Sequence, residues 1–128
     1  MTHRLTIPIP PGEWISANDR MHWAEKAKRT KALRARGKAY ARALGLHRAG
    51  LEVVHVAAWI GYPRGGKADP ANAGPTVKAL IDGLTDAGVW PDDDSEHVIG
   101  PDYRRGPVTG RAGWHEVQLV LTPQGIPW

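Results

Sequence analysis

The stretch "PTVKALIDGLTDAG", residues 75–88, decides how this chain is read. Val77, Leu80, Ile81, Leu84 and Ala87 recur at helical spacing, so one apolar stripe must face a core. Pro75 suits a first helical position, where its missing N–H costs nothing, and Gly88 suits the position just past the end. The helix also has a polar side. Lys78 and Asp82 stand four residues apart and therefore share a face. Two oxygen-rich loops flank it: "KADPAN" before, with Asp69 and Asn72, and "WPDDD" after, with Asp92, Asp93 and Asp94.

Moving outward, "LEVVHVAAWIGY", residues 51–62, is β-branched and apolar on both alternating faces. That pattern predicts a central strand, with Trp59 in the core. Residues 63–74 are punctuated by glycine and proline and read as loop. Residues 19–45 are alanine-rich, free of proline and strongly basic, which predicts a long helix capped by Ser16 or Asn18. Its expected core contacts are Trp23, Ala27, Leu33, Tyr40 and Leu44, with a bend at Gly37. "HRLTIPIPP" alternates Leu5, Ile7 and Ile9 as a first strand ended by prolines. Beyond the aspartates come a strand near residues 97–103, a glycine-rich turn and a last strand, "WHEVQLVLT". The order β-α-β-α-β-β predicts a single α/β domain: a mixed sheet of about four strands with two main helices.

Composition narrows the function. The 128 residues suit one domain with a moderate core, and 41% hydrophobic content argues against disorder. No cysteine is present, so a disulfide framework and a thiolate zinc site are both excluded. No apolar run reaches bilayer length and the first residues lack a signal peptide's apolar segment, so a soluble, cytoplasmic protein is expected. The formal charge is +4, unevenly spread. Lysine and arginine dominate residues 1–50, where only Glu13, Asp19 and Glu25 oppose them, while acids gather between Asp69 and Asp102. A basic half beside an acidic cluster fits a phosphate-binding surface next to a metal centre; a solvated helix face is the plainer alternative.

Carboxylate and amide oxygens suit hard cations such as Mg²⁺ or Mn²⁺. An ion held by them activates water and neutralises charge growing on a phosphate, and a nearby lysine adds to that. Plainer readings stand beside this one. Asp69 before a proline is a common turn former, Lys78 with Asp82 reads as a surface ion pair, and three successive aspartates also suit a solvated turn. Of the six histidines only His97, three beyond Asp94, is placed to join a ligand set. Trp90 beside the aspartates either stacks on an unpaired base or anchors the loop to the helix end. Gly65, Gly66 and Gly74 make no P-loop, since no Gly-Lys-Ser/Thr follows, and no nucleotide cofactor is expected.

Taken in order, "IPIPP", "DPAN", the helix lysine and "DGLTDAGVWPDDD" resemble the RusA family of Holliday junction resolvases, in its phage and prophage variants. The resemblance covers most of the chain. It implies a bacterial or phage-encoded, magnesium-dependent homodimeric endonuclease that cuts four-way DNA junctions symmetrically in recombination and repair. By position it implies Asp69, Asp93 and Lys78 as catalytic residues and Asp69, Asp93, Asp92 and Asn72 as metal ligands. Arg64, Lys67, Lys28, Lys31, Arg104 and Arg105 would hold DNA backbone. The chain departs from the family's Asp-x-Asp-Asn pattern, because Ala71 stands where the second aspartate would be. Either Asn72 or Asp94 then completes the ligand set, or the chain is a catalytically weakened DNA-binding relative.

A helix over residues 75–87 is roughly 20 Å long at 1.5 Å per residue, which puts Asp69 and Asp93 near opposite ends. One cation reaches both only if the loops fold back along the helix, or if a two-fold partner supplies one of them.

Overall fold

Strands of alternating character bury every second side chain, and this chain does so with little exception. The computed structural model describes residues 1–124. Its elements are β1 (His3–Ile9), α1 (Trp23–Ala43), β2 (Val54–Gly61), α2 (Gly74–Ala87), β3 (Val98–Arg105) and β4 (His115–Pro123), with one-turn 3-10 helices at Leu46–Arg48 and Pro70–Ala73. This is the expected order. The sheet runs β1-β4-β2-β3. β4 is antiparallel to both β1 and β2, and β2 is parallel to β3, so the sheet is mixed. α2 lies in the crossover that the parallel pair requires.

One face of the sheet carries the core. Leu5, Ile7 and Ile9, then Val54, Val56, Ala58 and Ile60, then Val117, Leu119 and Leu121 are all fully buried. They form one cluster with Val77, Leu80 and Leu84 of α2 and Leu33 of α1. Each valine, leucine or isoleucine among them contributes about 1.5–3 kcal/mol by leaving water. The other face is uncovered. Trp59, expected in the core, is 38% exposed there, and Gln118 beside it donates to Thr6 at 3.3 Å. β2 is thus central in the sheet but buried on one side only, because both helices pack on the same face.

The helices meet at two glycines. A Cβ on Gly37 would stand 2.4 Å from the Leu80 carbonyl oxygen, and one on Gly83 would stand 2.2 Å from that of Arg34. Gly37 therefore marks a close crossing, where a bend was expected, and α1 runs on through it. Arg34 and Asp86 clamp the same crossing with a two-pronged ion pair at 2.5 and 2.8 Å. α1 begins later than expected, at Trp23. Its cap is His22, whose Nδ1 accepts from the Ala24 N–H at 3.1 Å, while Ser16 and Asp19 are held in a turn of their own. Trp23, Ala27 and Leu44, expected in the core, are exposed, Trp23 by 76% and Leu44 by 56%, since they sit towards the two ends of α1 beyond the crossing.

The start of α2 is pinned from outside. Thr76 is fully buried, and its hydroxyl accepts from the Ile15 N–H and donates to the Ile15 carbonyl. These two hydrogen bonds tie the loop after β1 to the first turn of α2. At the far end Gly88 takes the left-handed conformation (φ 85°) expected of a residue just past a helix.

Candidate functional site

The loop after α2 reverses direction, and its composition explains how. Asp92 Oδ1 accepts from the Asp93 N–H at 2.8 Å, and Asp94 Oδ1 accepts from the Glu96 N–H at 3.0 Å. The second is a side-chain turn of the kind aspartate favours, and the first fixes the next peptide N–H. The Asp94 carbonyl then accepts from His97 and Val98 at the entry to β3. Trp90 is 3% exposed, and its indole N–H donates to Thr85 Oγ1 at 2.8 Å. Of its two expected roles it performs the anchoring one and presents no face to a base. So two of the three aspartates shape the loop, and the middle one is turned inward.

That middle residue, Asp93, reaches back along α2. With Gly74, Lys78, Ile81 and Tyr103 it lines a cleft of about 250 Å³. Lys78 Nζ stands 3.1 Å from Asp82 Oδ1, on the same side of the helix. Asp82 in turn faces Asp93. A hydrogen bond between these two carboxyls, with partial burial and the repulsion of Asp82, holds the Asp93 pKa above the ordinary carboxylate range, and Lys78 opposes the shift. Two carboxyls facing each other oppose one another's charge, so ionising Asp93 costs more here than in water. Asp82 is the member of this group that sequence reasoning set aside as a mere ion-pair partner. The available signal was its position one turn beyond Lys78.

Asp69 stands elsewhere. It caps the short helix Pro70–Ala73, accepting from the Ala71 N–H at 3.0 Å, and its carbonyl accepts from the Tyr62 hydroxyl at 3.1 Å. It does not line the Asp93 cleft. Asn72 is tied into the same turn by its N–H, which donates to the Asp69 carbonyl at 3.0 Å, and its own carbonyl accepts from the Ala17 N–H of the loop after β1 at 2.8 Å. Among the described residues no three His, Asp or Glu side chains surround one ion position. His97 remains with Asp94, its Nδ1 3.9 Å from the carboxylate.

The expected cations divide into three groups. Arg64, Lys67 and Arg105 line a second, larger cleft of about 720 Å³. Lys28 and Lys31 are exposed on α1, and Arg104 is exposed on the uncovered side of β3. Much of the rest of the basic first helix is spoken for. Arg29 donates to Glu25 and to the Trp14 carbonyl, Arg36 grips Glu13, and Arg34 grips Asp86. No protein-family model matches this sequence, and no curated protein matches it. No helix among the described residues is long and apolar enough to cross a membrane.

Proposed function

We propose that this chain is a metal-dependent endodeoxyribonuclease acting on branched DNA, as its resemblance to the RusA resolvases implies. The observation that carries the proposal is the return of Asp93 along α2 to face Asp82, with Lys78 in the same cleft. Two carboxyls that oppose each other's charge are a place where a divalent ion relieves the repulsion. Magnesium is commonly held by one or two carboxylates, with water and substrate phosphate oxygens completing its shell. Asp93 and Asp82 fit that donor set. Asp92, hydrogen-bonded to Asp93, adds negative charge beside it.

When bound, the ion would supply an activated water and neutralise charge on the phosphate. The side chains do the rest. Asp93 holds oxygen donors in the wall of the cleft, and Asp82 holds its own beside Asp93 and Lys78. Lys78, 73% exposed, is free at its ammonium to leave Asp82 and meet a phosphate oxygen. Asp69 keeps the Pro70–Ala73 turn in place, and a carboxylate from this turn on a two-fold partner would complete the shell in a homodimer. Two such sites would serve the two opposed strands of a junction.

The test is cleavage of a synthetic four-way junction. Nicking is expected with Mg²⁺ or Mn²⁺ and is expected to fall at least about 100-fold in Asp93→Asn and in Lys78→Ala. Intact junction binding without cleavage by the wild-type chain would instead favour a non-catalytic DNA-binding protein. The absence of a three-carboxylate group among the described residues, with Ala71 in place of an aspartate, is what speaks for that second reading.

A further inference from the structure

The larger cleft has a composition that phosphate binding alone does not explain. Arg64 and Lys67 come from the loop after β2, and Arg105 ends β3. Arg105 is fixed. Its Nη1 donates to the carbonyls of Gly66 and Ala68 at 3.0 and 3.2 Å, and its guanidinium lies 4.6 Å from the centre of the Tyr62 ring. Among the described residues its other N–H groups have no partner, and a guanidinium has five in all. His115 forms the next part of the wall. It stacks on Trp14 with ring centres 3.7 Å apart and meets Tyr62 edge-on at 5.4 Å. Burial keeps the His115 pKa below its ordinary value, against the opposing Gly113 carbonyl, so the ring is a neutral aromatic near neutral pH. Its Nδ1 is buried without a hydrogen-bond partner among the described residues. Glycines 65, 66, 110 and 113 also line the cleft, so much of its remaining surface has no side chain to fill the space.

We infer that this cleft holds one unpaired nucleotide of a DNA strand, its phosphate against Arg64, Lys67 and the free edge of Arg105, and its base against the planar groups of Arg105, Tyr62 and His115. The volume suits a ligand of nucleotide size. Base contact with aromatic and guanidinium planes is how single strands are held where sequence is not read. The cleft also lies beside the nuclease site. Tyr103 lines the Asp93 cleft and Arg105 lines this one, two residues along the same strand and on the same face, hence about 7 Å apart. The inference rests on the reading of the ligand as DNA.

The experiment uses the full chain with a chelator present, so that no cutting occurs. A short oligothymidylate carrying one iododeoxyuridine is photocrosslinked, alone and as part of a blunt duplex of equal length. Crosslinks are expected at Tyr62 or His115 with the single strand and not with the duplex. Arg64→Ala with Lys67→Ala, both at exposed positions, is expected to weaken single-strand binding about tenfold and to lower its salt slope by about 1.4. Crosslinks confined to other residues such as Trp23, or equal yield from the duplex, would overturn the inference. So would competition by free thymidine monophosphate as strong as that of the oligonucleotide, which would make the ligand a soluble nucleotide. Asp93→Asn should crosslink like the wild type. If it does while the wild type fails to nick a junction in Mg²⁺, the nuclease reading falls and the nucleotide cleft stands.

Discussion

At the scale of single residues the Asp82–Asp93 pair carries most weight. Asp93 binds its proton more tightly in the folded chain than in the unfolded one. That proton favours folding below the ordinary carboxylate range, and the contribution is lost as pH rises through the raised value. Asp82→Asn removes the largest cause of the shift. It is expected to return Asp93 towards the ordinary range, followed by carboxyl-carbon NMR, and to stabilise the metal-free chain at neutral pH but not well below that range. A variant no more stable than wild type at neutral pH would show that the two carboxyls do not oppose each other. By residue type alone Asp92, Asp93 and Asp94 are alike, and only the family resemblance singles out Asp93. In the structure the hydrogen bonds made by Asp92 and Asp94 set it apart, and those depend on backbone directions that composition does not specify. Asp82 was passed over because its spacing from Lys78 already accounted for it.

At the scale of elements, α1 and α2 touch backbone to backbone, and this contact sets where Lys78 and Asp82 point. A methyl group on Gly83 would fall 2.2 Å from one main-chain oxygen and 2.8 Å from the Lys38 nitrogen, neither of which can swing aside. Gly83→Ala and Gly37→Ala should each destabilise the fold by about 1–3 kcal/mol despite alanine's better helix propensity, as read from urea unfolding. No loss in either variant would mean the helices stand farther apart. The ion pair of Arg34 with Asp86 crosses the same contact. It holds the Asp86 carboxyl below the ordinary range, so its support is present above that range and is lost as pH falls through the lowered value. The helices themselves were legible from proline-free runs and spacing. Their close crossing was not, since Gly37 reads equally as a weak point until a partner helix is laid against it.

At the scale of the whole molecule, basic charge and acidic chemistry occupy different parts of one small domain. Several arginines of α1 bind the protein itself, whereas its lysines have no ion-pair partner among the described residues. Lys28→Ala with Lys31→Ala is expected to weaken binding to all DNA shapes alike and to reduce the salt slope on duplex by about 1.8, with junction preference unchanged. Unaltered affinity and slope would place DNA away from α1. The uncovered face of the sheet, with Trp59, Gln118 and Thr6 in one row, is the largest feature that the strand patterns concealed. An apolar run such as residues 51–62 looks alike whether one or both of its faces are buried. What separates the cases is the side on which the helices pack.

The sequence by itself determined the order of elements, the C-terminal end of α2, the inward set of β1, and the residue types able to bind a hard cation and phosphate. These follow from local rules of periodicity, capping and charge. The tertiary structure decided that Asp93 turns back to Asp82 and Lys78 while Asp69 stays with its own turn, and that Arg105 joins Arg64 and Lys67 against Tyr62. Such meetings depend on where a loop reverses and on which face two helices share. Both are set by packing between segments far apart in the chain, which no local pattern encodes.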